Sequence, residues 1–191
     1  MRYLIVYAHP NPKSFNNAIK EKVEARLKRE GAQYDVRDLY GLGFDPVLKG
    51  SDFVGFKQGK PPEEISREQE FIKNADTLIF IHPVWWFGQP AVLKGYIDRV
   101  FSFGFAYTSD GKGLRGLLNG KKAVILNTTG GSEADYKDNG FKDALVKTVD
   151  TGTFGVCGIE VKLHKFFHAV PAVSNEAREK MLQEIDTLPL G

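Results

Sequence analysis

The residues whose side chains are best suited to bind a ligand follow an apolar run at positions 3–8. They are His9, Ser14, Phe15 and Asn16, and they stand where a predicted strand gives way to a predicted helix. A helix N-terminus carries partial positive charge and free N–H groups, so it attracts phosphate, and imidazole, hydroxyl and amide groups add hydrogen bonds. Ser14 and Asn16 are also ordinary helix caps. This loop alone leaves both interpretations open, a phosphate site and a simple cap.

A second group of candidates, Val84, Trp85, Trp86 and Phe87, follows the apolar run 77–81. Successive residues of an extended chain point to opposite faces, so three consecutive aromatic side chains cannot all enter one core. Aromatic planes and exposed backbone amides at this point suit a flat ring system. The alternative is two core aromatic residues and one interface residue, since Trp and Phe are usually buried.

The third group, Thr128, Thr129, Gly130 and Gly131, follows the apolar run 123–127. Paired glycines let the backbone approach a ligand closely, although an ordinary turn explains the same residues. Ligands of open α/β sheets bind beyond the carboxyl ends of the strands, so we expect the three loops to meet. Phosphate donors, aromatic planes and bare backbone together suit a flavin nucleotide.

Three other nucleotide or metal motifs are not supported. The chain has no GxGxxG, and the segment 116–122 is one residue shorter than a P-loop and lacks its final Ser or Thr. His164 and His168 are four residues apart, but they lack a third ligand at a recognisable spacing. We therefore expect no metal site.

The composition limits the class of protein. With 191 residues, the chain is long enough for a single domain, 1–191, with a substantial core. Its 26 basic and 24 acidic residues leave a net charge of +2, which indicates neither a nucleic acid partner nor an anionic membrane. No apolar run approaches the roughly 20 residues of a membrane span. The single cysteine, Cys157, allows no internal disulfide, and the start of the chain lacks a secretory pattern, so we expect a cytoplasmic protein.

Strand-like and helix-like patterns alternate along the chain. The predicted strands are 3–8, 34–39, 77–81, 123–127 and 159–163. The predicted helices are 16–30, 66–74, 91–101, 141–153 and 175–185. Residues 41–62, rich in Gly, Pro, Phe and Lys, are predicted to form a long connection. This order indicates an α/β fold, a flavodoxin-like doubly wound five-stranded parallel sheet with helices on both faces.

The predicted helix 91–101 and the loop after it are rich in apolar residues. These residues are Val92, Leu93, Tyr96, Ile97, Val100, Phe101, Phe103, Phe105 and Tyr107. At about 100° per residue, those in the helix form a broad arc that one sheet face is not expected to cover. An exposed apolar patch marks an interface, so we expect a homodimer. The alternative is a well-buried crossover helix.

Ordered motifs over residues 7–158 connect the chain with a known family. They are Ala8-His9-Pro10, Ser14-Phe15-Asn16, Asp38-Leu39-Tyr40, Phe44-Asp45-Pro46, the segment 86–95, Arg99-Val100-Phe101, Phe105-Ala106-Tyr107-Thr108, and Thr128-Thr129-Gly130-Gly131-Ser132 with Tyr136. In these motifs the chain resembles the NAD(P)H:quinone oxidoreductases of the DT-diaphorase type and their bacterial relatives such as modulator of drug activity B.

The resemblance implies a flavodoxin-like homodimeric enzyme that transfers hydride from NAD(P)H through a bound flavin to a quinone or similar acceptor. It implies flavin contacts at His9, Phe15 and Asn16 on the phosphate side, Val84, Trp85, Trp86 and Phe87 along the ring, and Thr128, Thr129, Gly130 and Gly131 at its other edge. Tyr136 matches a tyrosine that assists hydride transfer beside the flavin. Tyr107, contributed across the dimer, and Phe87 match the substrate pocket.

Two positions depart from the best-studied members of this family. Lys142 stands where those enzymes carry a histidine six residues after the tyrosine, and Ser109 replaces a second pocket tyrosine. Quinone specificity is therefore not carried over. The motif around Phe15 and the connection 41–62 favour FAD, with FMN as the alternative. The sequence does not choose between NADH and NADPH.

Two other functions are compatible with this fold. A flavodoxin-like electron carrier is usually acidic so that it docks on basic partners, whereas this chain has a net charge of +2. A flavin-binding ancillary subunit of a potassium-efflux system is the other alternative. Turnover of NAD(P)H with a soluble quinone separates both from the favoured reductase.

Overall fold

Strands and helices alternate throughout residues 1–191, which the computed structural model describes. The strands are β1 (Arg2–Tyr7), β2 (Gln33–Asp38), β3 (Thr77–Pro83), β4 (Tyr107–Ser109), β5 (Leu114–Gly116), β6 (Lys122–Thr128) and β7 (Glu160–Phe167). The α-helices are α1 (Phe15–Arg29), α2 (Gly50–Lys57), α3 (Glu63–Asn74), α4 (Ala91–Val100), α5 (Glu133–Asp138), α6 (Phe141–Val146) and α7 (Asn175–Glu184). A π-helical segment, Lys147–Gly155, continues α6.

Five of the strands form one parallel sheet in the order β2-β1-β3-β6-β7. This confirms the predicted doubly wound α/β plan, with β3 at the centre. The sequence prediction missed β4 and β5, which pair as a separate antiparallel hairpin. None of the helices is both long enough and apolar enough to cross a bilayer.

The two faces of the sheet bury different side chains, because successive strand residues point in opposite directions. Leu4 and Val6 of β1 belong to a core that contains residues of α3, α4 and the π-helical segment. Ile5 and Tyr7 belong to a second core with α1 and the residues after α7. The helices therefore cover both faces, as predicted.

The apolar arc of α4 is buried, so the expectation that the sheet would leave it exposed is wrong. Its members Val92, Leu93, Tyr96, Ile97 and Val100 are all buried. The segment before α2 helps to bury α4. A Cβ atom on Gly95 would lie 2.1 Å from the Pro46 carbonyl oxygen, so Pro46 packs directly on the backbone of α4.

The connection 41–62 is not irregular throughout, because it contains α2. Arg99 of α4 fixes this helix. Its Nε donates to Asp52 Oδ2 at 2.8 Å, and its Nη1 donates to the Asp45 carbonyl oxygen at 2.9 Å. The Arg99 and Asp52 side chains are each 2% exposed. A buried pair that joins distant residues gives no local sequence pattern.

Strand β7 continues four residues beyond its predicted end at residue 163. It lies at the sheet edge, where Lys162, His164 and Lys165 interrupt the apolar pattern, while its pairing with β6 continues to Phe167. The longer strand carries the loop that starts at His168 to the same end of the sheet as the predicted site.

Candidate functional site

The three predicted loops meet beyond the carboxyl ends of the strands. The strand order reverses between β1 and β3, and such a switch point is where open α/β sheets bind ligands. A cleft of about 300 Å³ opens there. It is lined by His9, Ser14, Phe15, Asn16, Pro83, Val84, Trp85, Thr128, Thr129, Gly130, Val170 and Pro171.

The first loop brings the N-terminus of α1 to this cleft. Ser14 caps the helix, since its Oγ accepts the Asn17 N–H at 3.1 Å. The first turn contains no acidic residue, so no side chain there neutralises the partial positive charge of the helix end. Capping and anion binding are compatible here, because this cap satisfies only one of the free N–H groups of the first turn.

His9 stands at the edge of the same loop. Its Nδ1 accepts the Asn11 N–H at 3.0 Å, so in the neutral ring the hydrogen is on Nε2. Burial lowers the pKa of His9 below its ordinary value. The ring is therefore a neutral donor at pH 7, and its centroid lies 5.8 Å from that of Trp85.

Asn16 connects the first loop with the third. It is 3% exposed, and its Nδ2 donates to Thr128 Oγ1 at 2.8 Å. Its Oδ1 is the one buried side-chain polar atom in the chain that has no hydrogen-bond partner. An unsatisfied buried acceptor costs about 1–3 kcal/mol, so a ligand hydroxyl or N–H that reached this atom would bind favourably.

The second loop makes a tight turn at the cleft. Trp85 and Gly88 exchange two backbone hydrogen bonds of 3.0 Å, and Trp86 and Phe87 between them have φ angles of 49° and 55°. This is the pattern of a type I′ turn, which normally contains Asn or Gly. Aromatic residues in this conformation are strained, and such strain concentrates at functional sites. The turn leaves the Trp86 and Phe87 amides without an acceptor in the chain.

The third loop also presents unpaired backbone donors. The amides of Gly130 and Gly131 have no acceptor within the chain. A Cβ atom on Gly130 would meet nothing within 4 Å, so a ligand can approach its backbone. A Cβ atom on Gly131 would lie 3.3 Å from Tyr136 Cε2, so Tyr136 packs directly against this loop.

Tyr136 lies on α5, a helix that the sequence prediction missed, and it is 5% exposed. Its ring centroid lies 5.8 Å from that of Phe87, and Phe87 stacks on Phe141 at 3.8 Å. Burial raises the pKa of Tyr136 above its ordinary value, so its phenol keeps its proton at neutral pH. Tyr136 is therefore a hydrogen-bond donor held beside the glycine loop.

Four predicted side chains, those of Trp86, Phe87, Tyr107 and Tyr136, are not among the residues that line the cleft. The Trp86 indole is 97% exposed, and it belongs to the turn in which residues 86 and 87 have positive φ angles. The indole therefore does not line the cleft in this structure, and position 86 offers its backbone amide to the cleft. Tyr107 lies on the β4–β5 hairpin, beside a second cleft of about 280 Å³ with Phe53 and Phe103.

The sequence prediction missed Pro83, Val170 and Pro171 of the cleft lining. It missed the last two because it ended the fifth strand at residue 163, which placed the following loop too early. Continued pairing of β7 with β6 depends on the sheet and has no counterpart in the local pattern.

A buried polar network lies beneath the cleft. Asn127 Nδ2 donates to His82 Nε2 at 3.0 Å, and Asn127 Oδ1 accepts from His164 Nε2 at 2.8 Å. His164 Nδ1 lies 2.7 Å from Asp150 Oδ1. Burial lowers the pKa of His82 to about 4, so this ring is neutral at pH 7. His164 and His168 bond to separate partners, and no cluster of three or more His, Cys, Asp or Glu side chains could hold a metal.

The chain is similar to several known proteins. A family model described as the flavodoxin-like fold matches residues 1–188. The chain is 36% identical over 184 residues to an uncharacterized NAD(P)H oxidoreductase of Haemophilus influenzae, covering 96% of this chain and 91% of that protein. It is 34% identical to the human ribosyldihydronicotinamide dehydrogenase [quinone], covering 95% and 87%. The solved NAD(P)H:quinone oxidoreductase of Methanothermobacter marburgensis superposes with a TM-score of 0.88 at 30% identity, covering 98% and 96%.

Proposed function

The chain belongs to the flavodoxin-like fold family, and from this membership and the cleft we propose that it is a flavin-dependent NAD(P)H:quinone oxidoreductase. Its relatives at 30–36% identity carry the names of NAD(P)H oxidoreductases and quinone dehydrogenases over nearly their full length. The proposed unit is the whole chain, 1–191, as one domain built on a single five-stranded sheet.

The observation that carries the proposal is a set of polar groups around the cleft that have no hydrogen-bond partner in the chain. The buried Oδ1 of Asn16 lacks a donor, and the amides of Trp86, Phe87, Gly130 and Gly131 lack acceptors. A flavin nucleotide offers hydroxyl groups, ring carbonyls and an anionic phosphate. These groups complement the unpaired acceptor, the unpaired amides and the N-terminus of α1.

Each part of the cleft has a proposed role. His9, Ser14, Phe15 and Asn16 bind the phosphate side, and His9 donates through Nε2. Val84, Trp85 and the backbone of Trp86 and Phe87 would hold the ring, together with the segment 128–131. Flavin held by these residues would supply the redox chemistry, the transfer of a hydride from NAD(P)H to the acceptor, and this chemistry belongs to the cofactor. The chain supplies position, orientation and donors.

Tyr136 is the proposed catalytic donor. Hydride transfer adds negative charge to the site, and a preorganised donor such as a phenol stabilises it. The Tyr136 ring is held by Gly131 and Phe87, and burial keeps its phenol protonated by raising its pKa. The proposed cofactor is FAD, with FMN as the alternative, and mass spectrometry of the released flavin separates the two.

The proposed assembly is a homodimer in which Tyr107 and Phe87 border the acceptor pocket. Phe53 and Phe103 are 54% and 46% exposed and line the cleft beside Tyr107. Trp86 adds a nearly fully exposed indole on a different loop. Exposed apolar surface of this kind favours association, and a partner chain would bring the two areas together.

The functional test is turnover of the flavin-loaded protein with NADH or NADPH and a soluble quinone. The proposal predicts saturable kinetics with one hydroquinone formed per NAD(P)H consumed. Absence of turnover with either nucleotide across a panel of quinones, azo dyes and nitroaromatics would contradict it. That outcome would favour an electron carrier or a regulatory subunit of a transporter.

A further inference from the structure

The buried polar network beneath the cleft connects the π-helical segment with residues that line the cleft. In order, its side chains are those of Asp150, His164, Asn127 and His82. His82 and Asn127 are paired residues of the neighbouring strands β3 and β6. The next residue on each strand, Pro83 and Thr128, lines the cleft. The network therefore ends one residue away from the proposed flavin site.

The Pro83 carbonyl oxygen fixes the direction of the hydrogen bonds in this network. It can only accept, so His82 Nδ1, which lies 2.9 Å away, carries a hydrogen. Burial, together with the charge of His164, lowers the pKa of His82 to about 4, so the ring is neutral and its Nε2 accepts from Asn127 Nδ2. The same Nδ2 lies 3.2 Å from the His82 carbonyl oxygen, which excludes the flipped amide. Asn127 Oδ1 therefore accepts from His164 Nε2 at 2.8 Å.

The other end of the network must then hold an additional proton. His164 Nε2 already carries a hydrogen, and its Nδ1 lies 2.7 Å from Asp150 Oδ1. A hydrogen must also lie between Nδ1 and Oδ1, because two acceptors at this distance repel each other. Imidazole is ordinarily a stronger base than carboxylate, so His164 is the imidazolium partner of an ion pair with Asp150. The two side chains are 4% and 18% exposed, so solvent screens this pair weakly.

The groups that face His164 come from three elements. They are Asn127 of β6, His82 of β3 and Asp150 of the π-helical segment. Its neighbours on β7, Lys162 and Lys165, form ion pairs with carboxylates of their own. Asp150 is thus the one charged group that bonds to His164.

We propose that the Asp150–His164 ion pair positions the residues that line the flavin site, and that it acts through Asn127 and His82. This role rests on the proposed function. While the pair holds its proton, every donor in the network faces an acceptor, and the Pro83 carbonyl group is fixed by His82. None of the four side chains is among those that line the cleft, so all four belong to positioning residues.

Loss of the shared proton carries a mismatch toward the cleft. Neutral His164 keeps its hydrogen on Nδ1, because a hydrogen bond to a carboxylate is roughly twice as strong as one to an amide. Its Nε2 then faces Asn127 Oδ1, so two acceptors meet. Turning the Asn127 amide would place Oδ1 against the His82 carbonyl oxygen and Nε2, which are also acceptors. We therefore expect flavin affinity to decline as pH rises, since the proton is present on the acidic side.

Asp150→Asn separates the proton from the hydrogen bonds. Its amide can donate to Nδ1 of neutral His164, which leaves Nε2–H for Asn127, so the network is complete without the additional proton. FAD titrations followed by flavin fluorescence should cover about pH 5 to about pH 9, which spans the usual histidine range. Over this range the dissociation constant should rise about tenfold more in wild type than in Asp150→Asn, the loss expected for one hydrogen bond to a charged group.

The comparison between the two proteins isolates the pair. His9 and His168 titrate in both, so their effects cancel. Asp143→Asn is the matched control, because Asp143 is an exposed aspartate of the neighbouring helix α6, and this variant should keep the wild-type pH profile.

NMR of ¹⁵N-labelled histidine in the flavin-free chain supplies a second measurement. His82 should be the Nδ1–H tautomer. On the alkaline side, His164 should be the Nδ1–H tautomer in wild type and the Nε2–H tautomer in Asp150→Asn. The wild-type tautomers decide the proposal should Asp150→Asn not fold.

The proposal is overturned by equal pH profiles of FAD affinity in wild type and Asp150→Asn, or by an Nε2–H tautomer of His82. Failure of the proposed function gives a distinguishable result. FAD binding with the expected pH profiles but without NAD(P)H turnover would contradict the reductase and support the positioning role. Absence of FAD binding in wild type at every pH would contradict both, even with the expected tautomers.

Discussion

Trp85 and Trp86 are neighbours in the chain with opposite surroundings. Trp85 lines the cleft beside His9, whereas the Trp86 indole is 97% exposed. Trp85→Ala should therefore weaken flavin binding about tenfold, because an aromatic contact contributes roughly 0.5–1.5 kcal/mol beyond its buried area. Trp86→Ala should change the affinity less than threefold, since it keeps the backbone amide. Flavin titrations of both variants measure this, and a larger loss in Trp86→Ala would contradict the assignment.

Tyr136 has a narrower expected role than the flavin-binding residues. Tyr136→Phe should keep flavin bound but slow its reduction by NAD(P)H roughly tenfold or more, the loss expected from at least about 1.4 kcal/mol of transition-state stabilisation. Stopped-flow absorbance measures the reduction. Tyr40→Phe is the matched control, since Tyr40 is an exposed tyrosine outside the cleft lining. Equal rates in wild type and Tyr136→Phe would remove Tyr136 from the catalytic machinery.

Residue types in the sequence were sufficient to locate the cleft but not to orient its side chains. The loops were predictable because each follows a buried apolar strand, and parallel strands end at one edge of the sheet. The direction of Trp86 was not predictable, because aromatic residues rarely occupy the positive φ angles of this turn. The contact of His168 with Tyr136 depends on where β7 ends, which is a property of the sheet.

At the level of elements, α4 depends on a glycine for its packing. A Cβ atom on Gly95 would lie 2.1 Å from the Pro46 carbonyl oxygen, which is backbone and cannot rotate away. Gly95→Ala should lower the free energy of unfolding by about 1–3 kcal/mol, the typical cost of overpacking. Urea denaturation measures this change.

Gly50 at the start of α2 is the matched control. A Cβ atom there would meet nothing within 4 Å, and its φ is not positive. Gly50→Ala should be neutral or slightly stabilising, because alanine favours helix more than glycine. Equal destabilisation by both substitutions would show that the contact with Pro46 is not the cause.

Local sequence patterns predicted the central strands better than they predicted α2 and the π-helical segment, and the difference has a physical reason. The central strands are buried on both faces and give continuous apolar runs. Helix α2 was missed because the buried Arg99–Asp52 pair fixes it from another part of the chain. The second half of the helix predicted at 141–153 is helical, but it winds as a π-helix, a form that is frequent at functional sites.

For the whole molecule, we expect a homodimer through the surface that carries Phe103. Light scattering at micromolar concentration should give twice the chain mass of 21.3 kDa. Phe103→Glu should shift the protein toward monomer, because it places a charge in an apolar interface. Lys180→Glu on α7 introduces the same side chain away from this surface and should remain dimeric. A monomeric wild type would contradict the proposed homodimer. It would also contradict the proposal that Tyr107 borders the acceptor pocket across the dimer.

The central claim is that the cleft at the switch point binds a flavin nucleotide through Asn16 and the loops around it. Titration of FAD and FMN into the flavin-free protein, followed by flavin fluorescence, tests this claim most directly. Wild type should saturate at one flavin per chain. Asn16→Asp should bind at least about tenfold more weakly, a loss of about 1.4 kcal/mol, because a buried negative charge opposes the phosphate. Asn175→Asp, an exposed substitution on α7, should bind like wild type. Absence of saturable binding in wild type, or equal affinity in wild type and Asn16→Asp, would contradict the account.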